Sequence, residues 1–271
     1  MTVPSRRLLA SGQGWTVHDV VCTAGPVDRP FEERRDWICI AVVKQGTFQY
    51  RTSHGRATLA PGAILLGNAG QCFECSHGHG SGDRCLSLHF APDYFERIIA
   101  AIPGARLPFE VPRLPPSPSL IPFIVAAESA EHDAMEMEEI ALQLAGGVVM
   151  RSMRATPAAT VPSQHDERRV SEAVRRIEAE PSEPMTLVTL ARQAGTSPFH
   201  FLRVFRSVTG VTPHQFVLVQ RLRRAANMLR QSDQSVSSIV YDTGFNDLST
   251  FNRRFRRIMG TTPTAYRRQR N

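Results

Sequence analysis

The sequence predicts a two-domain protein: an N-terminal all-β barrel or jelly roll with helices after it, then an all-α region built on a doubled helix-turn-helix. Three observations carry this. The chain has 271 residues, enough for two domains that each bury a core. Short apolar runs broken by Gly turns fill the chain to about residue 90, and helical periodicity takes over after residue 165. Residues 199–216 also recur, in register, at 249–266. The expected division is 1–154, a linker at 155–165 and 166–271.

The strand reading rests on three segments. "WICIAVVKQGTFQYRT" has an apolar run, a Lys-Gln-Gly turn and more strand formers. "RATLAPGAILLGNAGQCFEC" turns at Pro61-Gly62, and "RCLSLHFAP" places Leu86, Leu88 and Phe90 on one face. Such spacing fits a small barrel. Two helices are expected to follow. One starts near Pro92, and the other spans about 132–153, with Met135, Glu139, Leu142 and Gly146 along one side. Between them the prolines of "LPFEVPRLPPSPSLIP" argue against regular structure. The broad apolar surface of 132–153 can cover the barrel or pair with a second copy of the chain.

"ATPAATVPSQH" (155–165) has linker composition, with two prolines and several small residues. After it, helices are predicted at 166–179, 187–194, 198–208, 214–230, 236–242, 248–258 and beyond Pro263. Charge divides at the same place. Of the net +7, residues 166–271 carry 18 Arg against 9 acids, so +9, and the remainder carries −2. A polyanion partner is the expectation for the basic part. No apolar run is long enough to span a bilayer and the N-terminus lacks a secretory pattern, so a cytoplasmic location is expected.

The repeat gives that expectation a shape. At an offset of 50, Phe201, Arg203, Phe205 and Arg206 match Phe251, Arg253, Phe255 and Arg256, and Gly210, Thr212 and Pro213 match Gly260, Thr262 and Pro263. In each unit a capped helix ends at a glycine (Gly195, Gly244), and a new cap (Ser197, Asp247) starts a second helix, which is the helix-turn-helix pattern. On that second helix Phe201, Phe205 and Val208, or Phe251, Phe255 and Ile258, point inward. The opposite stripe holds Phe199, Leu202, Arg203 and Arg206 in one unit and Ser249, Asn252, Arg253 and Arg256 in the other. Arg pairs with guanine edges and Asn with adenine, and apolar side chains touch thymine methyls, so double-stranded DNA is the expected partner. Residues 214–230 read as a connecting helix with Phe216, Val219, Leu222, Ala226 and Leu229 buried. Arg221, Arg223 and Arg224 are left for solvent or phosphate.

"GFNDLSTFNRRFRRIMGTTPTAYR" resembles the signature of the AraC-type transcription regulators, and the resemblance covers about 166–268. It implies two helix-turn-helix motifs joined by a long helix. Base contacts would come from Phe199, Leu202, Arg203, Ser249, Asn252 and Arg253, and phosphate contacts from Arg206 and Arg256. Phe199 and Leu202 stand where the family often has larger or polar readers, so the first unit is expected either to read apolar features or to contribute less specificity. The region before 155 is similar to the cupin-like sensor domains of that family. That likeness implies a small effector inside the barrel, a homodimer through the helix at 132–153, and RNA polymerase as a further partner.

The segment "GQCFECSHGHGSGDRCLSLHF" (70–90) concentrates three cysteines and three histidines. Drawn as a hairpin turning near Gly80, it sets Cys75 opposite Cys85, His77 opposite Asp83 and Gln71 opposite His89. Cys75, His77 and Cys85 then converge, with His79 in the loop. These are donors for zinc or copper, and two facing thiols also make a redox pair. Buried structural cysteines around an organic effector account for the same residues. The expected function is a sequence-specific DNA-binding regulator governed by an effector, a metal or thiol redox at the N-terminal domain. A metal-dependent cupin enzyme with a DNA-binding tail, and a partner-binding helical module, are the alternatives.

Overall fold

The computed structural model describes residues 4–78, 82–128, 134–156 and 162–269. The N-terminal strands are β1 (Ser5–Gly12), β2 (Trp15–Cys22), β3 (Phe31–Arg34), β4 (Ile38–Gly46), β5 (Phe48–Thr52), β6 (Gly55–Leu59), β7 (Ile64–Gly67), β8 (Cys72–Ser76), β9 (Asp83–Phe90) and the short β10 (Arg113–Leu114). They form two sheets, in the order β1-β2-β9-β4-β7-β10 and β3-β8-β5-β6. Helices α1 (Pro92–Ala100), α2 (Ile121–Glu128) and α3 (Ala134–Ser152) complete this half.

Strand β4 shows why the larger sheet holds. Ile38, Ile40 and Val42 pack with Leu86, Leu88 and Phe90 of β9 against the helices. Cys39, Ala41 and Val43 face the smaller sheet, meeting Phe48, Tyr50 and Phe73. With both faces covered, the strand reads as an unbroken apolar run rather than an alternation.

The expected hairpin from β8 to β9 does not form. β9 is flanked by β2 and β4, so neither of its edges is free, and β8 pairs with β3 and β5 in the other sheet. Cys75 lies beside Phe31 and Tyr50, and Cys85 beside Val20 and Val43. Gln71 meets the His54 ring (3.0 Å) rather than His89. Cys75 and Cys85 still look into one interior, but across the two sheets. Among the described residues no helix is long and apolar enough to cross a membrane.

A second correction concerns the proline-rich stretch, which contains β10 and a 3-10 turn at Pro118–Leu120 and runs into the start of helix α2. Pro122 sits in the first turn of α2, where no helical N–H is lost. Ile124 and Ala127 pack on the barrel core, whereas Ile121 and Val125 enter the core of the C-terminal region.

That region contains α4 (Gln164–Ala179), α5 (Leu187–Gln193), α6 (Pro198–Thr209), α7 (Pro213–Gln231), α8 (Val236–Asp242), α9 (Leu248–Met259) and α10 (Pro263–Arg268). One core joins α4, α5, α6 and the start of α7, and takes in Ala60 of the barrel; the other joins the rest of α7 with α8, α9 and α10. Of the stretch read as a linker, residues 157–161 lie outside the described residues.

Candidate nucleic-acid interface and barrel cavity

The two helix-turn-helix units are fixed by matching caps. Thr186 Oγ1 accepts from Thr189 N (3.1 Å) and Ser197 Oγ from His200 N (3.3 Å). In the second unit Ser235 Oγ accepts from Ser238 N (3.0 Å) and Asp247 Oδ1 from Thr250 N (2.6 Å). Each supplies an acceptor to an N–H that the first turn leaves without a helical partner. The turn at Gly244 has φ +83°, and a Cβ there would come within 2.7 Å of Ser182 Cα. Only glycine fits both the angle and the space.

Behind the turns the aromatics stack in series. Ring centroids lie 5.6 Å apart for Phe201–Phe205 and again for Phe205–Phe216; the second unit repeats this with Phe251–Phe255 at 5.3 Å and Phe255–Tyr266 at 5.4 Å. These edge-to-face and tilted contacts lock the inward side of α6 and α9. The outward side is left to solvent. Arg203, Arg206, Ser249, Asn252, Arg253 and Arg256 are exposed, Leu202 is half-buried, and Phe199 is 80% exposed. His200, which the sequence did not single out, accepts at Nδ1 from Arg203 Nη2 (3.3 Å), and its Nε2 stands 3.5 Å from Asp166 Oδ1, so it steadies the Arg203 head. Leu202 and His214 line one side of an open groove, and Asn246, Asp247, Thr250 and Arg254 line the other. The two second helices therefore border a common groove.

Two of the three arginines assigned to solvent or phosphate on the connecting helix are used internally. Arg221 donates to the carbonyls of Pro181 (2.7 Å), Glu183 (2.9 Å) and Gly244 (2.6 Å), tying the two units together. Arg223 is buried against Glu128 of α2 (2.5 Å). Arg224 alone of the three is exposed.

The docking of barrel and helices is polar as well as apolar. Glu167 of α4, only 2% exposed, accepts from Gln49 (2.6 Å), Arg56 (2.7 Å) and Thr58 (2.9 Å). Glu178 accepts from the Gly46 N–H (3.2 Å). Burial pushes the Glu178 carboxyl up to about 7, against the pull of that N–H and of the Arg223 charge. The folded state thus holds this proton more tightly than the unfolded chain. Its contribution is fully present at low pH, falls as pH rises from about 4.5 to about 7, and is gone above that. Glu178→Gln keeps the acceptor without the charge. It is expected to raise stability at pH 8 by on the order of 2 kcal/mol and to match the native protein at pH 4.5. Thermal melts at the two pH values check this, and a variant no more stable at pH 8 would contradict it.

Between the sheets lies a cavity of about 90 Å³, lined by apolar Phe31, Phe48 and Phe73 and by a set of polar groups. Arg35 lies over the Phe73 ring, 3.8 Å from its centroid. All five cysteines are free thiols. Burial pushes the Cys75 and Cys85 thiols up, so both are protonated and slow as nucleophiles. Cys85 Sγ donates to Asp83 Oδ2 at 3.3 Å. His77 Nε2 meets Asp83 Oδ1 at 2.5 Å. Burial alone would lower the His77 pKa, but its hydrogen bonds to Asp83 and Cys22 hold it at about 9. Burial lowers His89, at the far end of β9, to about 3. His79 lies outside the described residues. Cys22 was not among the residues singled out from the sequence, because it is separated from His77 by β3 to β8. The alternation of Val20 and Cys22 toward the interior was its only local signal.

Two family models match the chain: an AraC-like ligand binding domain over residues 24–145 and a helix-turn-helix domain over residues 190–269. The regulatory protein PocR of Salmonella typhimurium is 34% identical over 110 residues, which cover 41% of this chain and 36% of that protein. The chain thus matches about a third of that relative's length. The uncharacterized HTH-type transcriptional regulator YbfI of Bacillus subtilis is 26% identical over 79% of this chain and 78% of its own length. The probable transcription factor PqrA of Proteus vulgaris is 34% identical over 32% of this chain and 70% of its own length. With a ligand-binding module of this type preceding paired helix-turn-helix units on one chain, the protein belongs to the AraC family of transcription regulators.

Proposed function

We propose that the protein is a cytoplasmic, sequence-specific DNA-binding transcription regulator whose DNA contacts are governed by a signal received in the barrel cavity. The observation that carries this is the doubled ridge: two helices in one register, each with aromatics buried and arginines exposed. Phe199, Leu202, Arg203, Ser249, Asn252 and Arg253 read base edges, while Arg206 and Arg256 hold phosphates. The domains are 1–154 and 166–271, joined by 155–165. A second copy of the chain pairs through 132–153, where Met135, Leu142 and Met150 of α3 are exposed. RNA polymerase is the partner at the promoter. Membership of the family favours this over a cupin enzyme with a DNA-binding tail.

The test uses full-length protein and an operator selected from a randomised duplex pool. Arg203→Ala and Arg253→Ala are each expected to cost about 1–3 kcal/mol on the selected site and to relax preference at one base pair. Arg256→Ala is expected to weaken selected and random DNA alike and to lower the salt slope by about one. Equal losses on both DNAs for the first two variants would remove them from the base-reading set.

A further inference from the structure

We propose that Cys22, His77 and Asp83 bind a single thiophilic divalent ion, with zinc the best match, at one end of the barrel cavity. The inference deepens the regulator reading. Its metal half stands on the barrel alone, and its DNA half rests on that reading.

Among the described residues these three form a group whose ligand atoms all lie within 4.8 Å of one another. They reach that point from three segments. Asp83 opens β9 and is in register with Cys22 at the end of β2, so both side chains leave the same face of the larger sheet. His77 follows β8 and comes from the opposite sheet. The approach is close because Gly82 lets the chain pass: a Cβ there would sit 2.2 Å from the Cys22 carbonyl oxygen.

The donor set selects the ion. One sulfur, one imidazole nitrogen and one carboxylate oxygen suit zinc and related borderline metals, whereas magnesium and calcium take oxygen shells. Three protein donors leave a fourth tetrahedral position, and all three residues line the cavity that Cys75 and Cys85 also line. Charge closes as well. A thiolate and a carboxylate balance a divalent ion around a neutral imidazole, so the buried site carries no net charge, and such burial demands that balance. As the ion enters, the Cys22 thiol proton and the proton between His77 Nε2 and Asp83 Oδ1 leave to solvent.

The same strand ends touch the DNA-binding half. Asp83 is paired on its other side with Gly46, whose N–H donates to Glu178 of α4. An ion that replaces the proton between Asp83 Oδ1 and His77 Nε2, now 2.5 Å apart, must spread them to fit bonds of about 2.0 Å, and so displaces the barrel edge against which α4 is docked.

The experiment titrates reduced, metal-free, full-length protein with Co²⁺, followed optically, and then competes with Zn²⁺. One equivalent is expected, with a thiolate-to-cobalt charge-transfer band. Cys22→Ser should abolish the band and weaken binding by more than about a hundredfold, beyond what loss of an outer partner costs. Asp83→Asn, nearly isosteric, should weaken binding while circular dichroism and the melting curve show a native fold. Cys72→Ser, exposed on the other strand face, should change nothing. No stoichiometric binding, a band that survives Cys22→Ser, or a band lost only with Cys75→Ser or Cys85→Ser overturns the site. Zn²⁺ should also change the affinity of the native protein, but not of Cys22→Ser, for the selected operator. Metal binding without that change removes the coupling and leaves the site; failure to bind operator at all defeats the regulator reading and leaves the metal result.

Discussion

Arg223→Ala is expected to destabilise the chain by about 3–5 kcal/mol, far more than a surface ion pair would. Arg223 is 6% exposed and the Glu128 side chain is similarly enclosed, with Asn227 on the second carboxylate oxygen at 3.3 Å. Removing the arginine leaves a carboxylate between α2 and α7 with that amide and the more distant charges of Lys44 and Arg84 to compensate it. The loss should therefore come mainly from the stranded charge. Arg223→Met with Glu128→Leu removes both charges and fills the volume, and it should restore most of the stability. Urea melts of the two single variants and the double variant measure the coupling. If the single substitution costs under about 1 kcal/mol, water reaches Glu128 and the pair does not tie the barrel to the helices.

Phe255→Ala is the second large effect, at about 3–5 kcal/mol for a fully buried ring. Phe255 packs on Phe251 and Tyr266 in the core that α7, α8, α9 and α10 share, while Phe205 belongs to the core around α4, α5 and α6. The damage should stay on one side. Contacts that depend on Arg253 should vanish while those that depend on Arg203 persist, because α6 keeps its own support. Hydrogen exchange resolved by segment, together with base-pair preferences of the variant, separates the two units. Equal loss of protection in α6 and α9 would show a single cooperative core.

The C-terminal half was legible because its determinants are local. Ser197 and Asp247 cap the helices they were expected to cap, Thr186 and Ser235 cap the helices before them, and Phe201, Phe205, Phe251 and Phe255 are the buried faces. A cap acts within three residues and an amphipathic stripe within a turn or two, so both are written in short windows. The exposed ridge followed as the complement of those faces. Helix α2 was illegible for the same reason. It is buried on two sides, so it shows no stripe, and Pro122 with the prolines before it resembles a break.

What the linear chain could not supply was pairing at a distance. Its alternation put Leu86, Leu88 and Phe90 on one face of β9, but which strand lay beside β9 depended on free edges and not on nearness in sequence. Arg223 reads as a solvent residue until α2 arrives with Glu128, and Cys22 reads as a core thiol until His77 and Asp83 close around it. The sequence by itself determined the helix-turn-helix frames and their outward arginines, since these depend on backbone propensity and periodicity. Only the tertiary structure decided which buried polar groups meet, because a buried charge or ligand is defined by partners that the fold brings from elsewhere.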